Sequence, residues 1–232
     1  MGKSIISQAR GRGGPTYRVR KKAFQYKIGY PMQEGQAKIM DLLHSAGHSA
    51  PLLKLSINNE TFFNPAFNGA YIGQNIVIGK NSEIGNILML KNVPAGTKIY
   101  NIENNPGDGG KMIRTASSSA TLTKKHPNNK VSILMPNKKE LVISGDCRVT
   151  IGEIAGAGRK LKPFIKAGRK FHKMRAKGGK LWHRTSAVKV NAVDHPFGSG
   201  RGKRIKSKIA KRNAPAGARV GHIRPRQTGW RK

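Results

Sequence analysis

Residues 51–66 read PLLKLSINNETFFNPA. Two apolar runs, PLLKLSI (51–57) and ETFFNPA (60–66), flank Asn58-Asn59. Asparagine tolerates the left-handed backbone that a tight reversal needs, so the pattern predicts two short strands joined by a turn. Working outward, GQAKIMDLL (35–43), QNIVIG (74–79), ILMLKN (87–92) and KIYNIE (98–103) have the same length and the same Ile, Leu and Val content. Asn68-Gly69, Gly79-Lys80-Asn81 and Pro94-Ala95-Gly96 separate them. Five or six strands in about seventy residues suit a small barrel of the oligonucleotide-binding type over 35–103.

A second β run follows: MIRTA (112–116), ATLT (120–123), KVSILM (130–135), ELVI (140–143) and CRVTIG (147–152). Turns at His126-Pro127-Asn128-Asn129 and Pro136-Asn137 punctuate it, which predicts a second small barrel over 111–165. The glycine-rich NNPGDGG (104–110) links the two. Beyond Gly158 the β pattern stops. KAGRKFHKMRAKG (166–178) predicts a short basic helix with Phe171 and Met174 on one face and Gly178-Gly179 at its end. From about residue 185 no period is sustained, and no internal repeat is present. The fold expected is an all-β core of two barrels with a short basic helix. Basic extensions lie at both ends, 1–34 and 166–232.

Charge is distributed in the same three parts. Of 232 residues, 45 are Lys or Arg and 10 are acidic, a formal charge of +35. Residues 1–30 hold 8 basic residues and no acid, residues 31–153 hold 13 against 9, and residues 154–232 hold 24 against Asp194 alone. A nearly balanced centre between two like-charged arms describes a folded core whose extensions need a polyanion to order them, and residues 200–232 are too polar to fold alone. Nucleic acid is the expected partner. An anionic membrane surface is the weaker candidate: no apolar run approaches the roughly 20 residues of a span. MGKSII carries Ile6 where a myristoylation signal wants Ser or Thr, and no signal peptide is visible. Cys147 stands alone, which excludes internal disulfides and paired-thiolate zinc sites. It is expected to be a small, half-buried residue near a strand end, in keeping with a reducing compartment.

VNAVDHPFGSGRGKR (190–204) carries the most suggestive chemistry. Asp194, His195 and Ser199 are the residue types of a nucleophilic triad, but three members within six positions of a Pro/Gly loop cannot be placed on separately oriented elements. Ser199 lies in FGSGR, not in a nucleophile elbow. The alternative is a loop that Gly198 and Gly200 free for close approach, with His195 stacking or hydrogen-bonding and Arg201 to Arg204 meeting phosphates. In HSAGH, His44 and His48 are four apart, but Gly47 and the flanking strand patterns make this a hairpin loop rather than a metal pair. GDGGKM (107–112) and AGAGRK (155–160) lack the Gly-Lys-Ser/Thr of a nucleotide loop, although their amides and lysines suit RNA phosphates. Tyr17, Phe24, Tyr26 and Tyr30 interleave with Arg18, Arg20, Lys21, Lys22 and Lys27, either to stack on bases or to dock the arm on the barrels.

These motifs, in this order, resemble one family across essentially the whole chain: the universal second protein of the large ribosomal subunit, large-subunit ribosomal protein family two. NIENNPGDGGKMIRTASSSATL (101–122) is similar to the family's signature between its barrels, and CRVTIGEIAGAGR (147–159) to its Cys-Arg-Ala-Thr-Ile-Gly segment. KAGRKFHKMRAKG resembles its basic helix, and VNAVDHPFGSG the loop it directs toward the peptidyl-transferase region. QARGRGGPTYR (8–18), RNAPAGARVGHI (212–223) and Phe197 resemble the archaeal and eukaryotic branch. Where the family commonly has Asp-Pro and then an arginine in the first hairpin, this chain has Ser45-Ala46-Gly47-His48.

The resemblance implies an oligonucleotide-binding barrel followed by a Src-homology-three-like barrel. It also implies extensions threaded through ribosomal RNA, a non-enzymatic role in subunit association and in supporting peptide-bond formation, and a cytoplasmic location in the ribosome. Expected partners are large-subunit ribosomal RNA, other ribosomal proteins and the small subunit, with no cofactor, no metal, no membrane and no free homo-oligomer. Expected RNA-binding residues in the N-terminal arm are Arg10, Arg12, Arg18, Arg20, Lys21 and Lys22. Between the barrels they are Gly107, Asp108, Gly109, Gly110, Lys111 and Arg114, and then Arg159. Along the helix they are Lys166, Arg169, Lys170, His172, Lys173 and Arg175. In the loop they are Asn191, Asp194, His195, Gly198, Gly200, Arg201, Lys203 and Arg204. A basic duplex-DNA binder would share the charge but needs a groove-filling helix or wedge. A hydrolase built on His195 would need partners elsewhere in the chain.

Overall fold

The computed structural model describes residues 2–178, 181–200 and 209–224. Arg201, Lys203 and Arg204 lie outside these. The chain forms two compact units, one of Lys21–Lys166 and one of Met1–Arg20 with Ala167–Lys232.

The first unit is β throughout. The stretch PLLKLSINNETFFNPA forms a hairpin of β2 (Leu52–Ile57) and β3 (Glu60–Pro65), in register from Leu52↔Pro65 to Ile57↔Glu60. Asn58 and Asn59 both have positive φ, 44° and 68°, the two-residue turn whose twist matches the strands. β1 (Gly35–Leu43), β4 (Asn75–Ile78), β5 (Ile87–Met89) and β6 (Lys98–Tyr100) coincide with the apolar runs, as do β7 (Ala120–His126), β8 (Lys130–Leu134), β9 (Glu140–Ser144) and β10 (Arg148–Ile151). They form one ten-stranded sheet in the order β3-β2-β1-β4-β5-β10-β6-β7-β8-β9.

One predicted strand does not form. MIRTA keeps only a single bridge, Ile102↔Met112, because Ile113 takes φ 52° and turns the chain out of the ladder. The turn brings Arg114 back onto the carbonyls of the 104–110 loop, where its guanidinium is bound.

Alternation along β5 and β6 distributes their side chains among three apolar clusters. Ile87 packs with Tyr30, Ala37, Ile57 and Ile78, whereas its neighbour Leu88 packs with Leu122, Val131, Ile133 and Val149. Likewise Ile99 faces the second group, while Tyr100 faces Ile39, Leu53, Leu55, Phe67 and Ile76. Successive side chains leave a strand on opposite faces, so these two strands are buried on both sides. Ile99 and Tyr100 have no exposed surface. Truncating a buried isoleucine of this kind costs about 2–5 kcal/mol. Cys147 is fully buried in the second core, deeper than the half-buried position expected.

In the second unit, α2 (Ala167–Lys177) occupies the predicted basic segment. α1 (Ile6–Arg12) has no helical pattern in the sequence to announce it; its Gln8 side-chain carbonyl accepts the Ile5 amide at 3.0 Å. Gly13, at φ 68°, ends it in the left-handed conformation. Val19 bridges Gly178 antiparallel. β11 (Ile209–Ala210) and β12 (His222–Ile223) form a short parallel pair.

Candidate nucleic-acid interface

The glycine-rich 101–122 signature folds around two carboxylates of unequal burial. Glu103, fully buried, accepts the amides of Gly107 (3.2 Å) and Gly109 (3.0 Å). It also accepts the amide of Arg148 (2.8 Å) and ion-pairs with the Arg148 guanidinium at 3.0 Å. Asp108 accepts the amides of Asn104, Asn105 and Gly110 at 3.0–3.2 Å, with the Lys111 ammonium 3.8 Å away. Burial by itself raises the Asp108 carboxyl, but these amides and Lys111 outweigh it and hold the group below the ordinary aspartate range. Gly110, at φ 81°, leaves no room for a Cβ, which would stand 2.5 Å from the Asn101 carbonyl oxygen. The loop's amides and Arg114 are therefore engaged within the protein, while the Gly107 backbone and Lys111 side chain are exposed.

A buried polar chain continues from this loop. Arg114 donates to Asn101 Oδ1 (2.8 Å), Asn101 to Asn64 Oδ1 (2.8 Å), and Asn64 to Thr150 Oγ1 (2.9 Å). Thr150 lies 2.8 Å from the Tyr30 hydroxyl, which donates to the Asn101 carbonyl at 2.6 Å. Burial pushes the Tyr30 phenol well above its ordinary pKa, and Arg148 stands 5.4 Å over its ring. Tyr26 packs on Phe63 at 5.0 Å between ring centroids, so both rings dock the segment on the sheet. Phe24 meets His48 edge-on at 5.2 Å. His48 Nδ1 lies 2.8 Å from Ser45 Oγ, and the Gly47 amide and Ser45 hydroxyl both donate to the Ala23 carbonyl. The departure from the family pattern thus holds the turn that carries the exposed Lys21 and Lys22.

The second unit carries the densest charge. Its described residues include 16 Lys and Arg against the single acid Asp194. Arg10, Arg12, Arg18 and Arg20 are exposed, as are Arg169, Lys170, His172, Lys173 and Arg175 of α2. In the first unit, Arg159 and Lys166 are exposed too, and Arg159 reaches the Ala116 carbonyl at 3.4 Å. The 190–200 loop is tied by its own backbone: Asp194 and His195 amides to the Asn191 carbonyl, Gly198 to His195, and Ser199 to Val190, at 2.9–3.3 Å. Gly198 is buried, and a Cβ there would lie 2.4 Å from the Asn191 carbonyl. Gly200 has φ 101°. The Phe197 amide donates to His195 Nδ1 at 3.0 Å, and the two rings lie 4.9 Å apart. Among the described residues no hydrogen bond joins His195 to Asp194 or Ser199.

Three residues outside the expected set organise these regions: Glu103, Arg148 and Trp182. The first two read as ordinary charged strand residues, and only their pairing across 45 positions gives them meaning. Trp182 had a local signal, an aromatic ring beside basic residues. Lys170 lies 5.3 Å over its ring. Among the described residues no three His, Cys, Asp or Glu side chains converge as a metal group, and no helix is long and apolar enough to cross a membrane.

The family model for the C-terminal domain of ribosomal proteins L2 matches residues 83–217. Large ribosomal subunit protein uL2 of Archaeoglobus fulgidus is 43% identical over 240 residues, with 100% of each chain covered. Its namesakes from Methanococcus maripaludis and Methanocaldococcus jannaschii are 42% and 40% identical, again over 100% of both chains. All three organisms are archaeal, in agreement with the branch that residues 8–18 and 212–223 resemble. With more than half its length inside the family model and relatives of this similarity end to end, the chain belongs to the uL2 family of large ribosomal subunit proteins.

Proposed function

We propose that this chain is a structural constituent of the large ribosomal subunit, acting in the cytoplasm by binding ribosomal RNA. The observation that carries this reading is the second unit, where 16 described cations stand against one carboxylate and α2 exposes Arg169, Lys170 and Arg175. Such a surface favours a polyanion and is self-repelling without one. Other ribosomal proteins are its neighbours. In the finer reading the 190–204 loop supports the peptidyl-transferase region and the chain supports association with the small subunit. The β unit is read as two barrels, 35–103 and 111–165, joined by 104–110, with β5 and β6 lending a face to the second core.

Phosphate contact releases condensed counterions, so affinity for a large-subunit RNA fragment should fall linearly with log salt. Neutralising Lys166, Arg169, Lys170, Lys173 and Arg175 together should flatten the slope by several units. An unchanged slope would show that this face does not meet RNA. Co-sedimentation with large subunits in high salt separates the ribosomal role from DNA binding or free-enzyme activity.

A further inference from the structure

We propose that Trp182 and Phe171, with Arg18, Arg20 and Arg175, form a seat for a single unstacked nucleobase of single-stranded RNA and its adjoining phosphate. The proposal rests on the RNA-binding reading and adds to it a site with a defined ligand. A cleft of about 400 Å³ runs between residues 15–20 and the C-terminal end of α2. Its size lies in the roughly 300–1,000 Å³ range of clefts that hold one small ligand group. Phe171, Met174, Leu181 and Trp182 supply an apolar wall, and Arg18, Arg20 and Arg175 supply cations.

The close approach that creates this cleft is built into the backbone. Val19 bridges Gly178, and a Cβ on Gly178 would stand 2.9 Å from both the Arg18 carbonyl oxygen and the Arg20 amide nitrogen. Glycine there, at φ 69°, lets the 18–20 segment lie against the helix end and brings its two arginines to the aromatic wall. The wall is not sealed as a core would be: Phe171 is 41% exposed and Leu181 37%. Among the described residues no acidic side chain lines the cleft. A purely phosphate-binding groove has no use for exposed aromatic surface, and an apolar partner has no use for three arginines. A nucleotide satisfies both, because its base offers a π-face to Trp182 or Phe171 while its phosphate takes the fork of a guanidinium. Bases within an A-form duplex are already stacked and out of reach, so the ligand is an unpaired nucleotide.

The test uses the full chain with Trp230→Phe, so that Trp182 is the one remaining indole. It is titrated at fixed salt with oligoadenylate and with an abasic ribose-phosphate strand of equal length. Oligoadenylate should quench Trp182 emission and bind about tenfold more tightly than the abasic strand. Trp182→Ala should abolish the preference, and Trp182→Phe should retain most of it. Preference and quenching are read on the unsubstituted ring, so they decide the matter even if Trp182→Ala does not fold. Equal affinities without quenching would overturn the base seat and leave RNA binding standing. Binding of neither strand would overturn both. Equal quenching by polyglutamate of the same charge would also overturn the seat, assigning the cleft to an acidic protein segment.

Discussion

Glu103 and Arg148 hold each other across 45 residues of chain: the Glu103 carboxylate accepts the Arg148 amide at 2.8 Å and two guanidinium nitrogens at 3.0 and 3.2 Å, and the Glu103 amide donates to the Arg148 carbonyl at 3.1 Å. The carboxylate has no exposed surface, and the same oxygens hold the amides of Gly107 and Gly109. One side chain therefore fixes β10 and the glycine-rich loop together. Removing its charge leaves the mostly buried Arg148 without a counter-ion, the costly way to break such a pair. Glu103→Gln should lower the stability of the full-length protein by about 3–5 kcal/mol. Urea unfolding followed by far-ultraviolet circular dichroism would measure it, and a change below about 1 kcal/mol would deny the pair its structural role.

Asp108 sets an acid limit on the same loop. Its carboxyl lies lower in the folded than in the unfolded chain, where it titrates near 4. The unfolded state then binds more protons in that window, so the stabilisation is complete above pH about 4 and fades as pH falls through the lower folded value. The stability difference between the protein and Asp108→Asn should be constant from pH 5 to 7 and shrink progressively below pH about 4. A difference independent of pH down to 2.5 would mean the carboxylate contributes no more than an amide.

Cys147 sets the alkaline limit. Burial, with the carboxylates of Glu103, Asp108 and Asp146 adding to it, pushes its thiol up to about 11. An unfolded thiol ionises near 8.5, so the unfolded state loses its proton first. Stability from the protonated thiol is complete below pH about 8.5 and declines as pH rises toward 11. Iodoacetamide at neutral pH should leave the folded protein unmodified and react freely in denaturant. Rapid labelling of the folded chain would place the sulfur outside the core.

The strands were legible because their signal is local. Short apolar runs between Asn and Gly separators place β1, β2 and β3 to within one residue at each end, and the spacing of Phe171 and Met174 before Gly178-Gly179 places α2. What escaped was set by distant partners. Ile113 reads as a strand residue, but the carbonyls that bind Arg114 draw it into a positive φ. The insertion of β10 between β5 and β6 depends on a pairing that no window of sequence contains. α1 has only seven residues and no apolar stripe, and its end signals are Gln8 folding back and Gly13. In the candidate site, the basic-aromatic pattern left Tyr26 and Tyr30 open between stacking on bases and docking the arm, and their packing on Phe63 and against Thr150 decides for docking.

The His195 ring already has a partner within its own loop. Nδ1 accepts the Phe197 amide at 3.0 Å. Asparagine can place its Oδ1 near the position of Nδ1, whereas alanine leaves the Phe197 amide without an acceptor, at a cost of about 1–3 kcal/mol if it is kept from water. If His195 acts by holding the 190–200 loop, large subunits assembled with His195→Asn should retain most peptide-bond formation and those with His195→Ala should lose more. A proton-transferring histidine behaves otherwise: neither variant has a group that titrates near neutrality, so both should fail alike. The measurement isolates the chemical step across pH after equal incorporation of each variant is verified. Equal, large losses together with disappearance of a titration near the histidine pKa would overturn the positioning role and make His195 a participant in proton transfer.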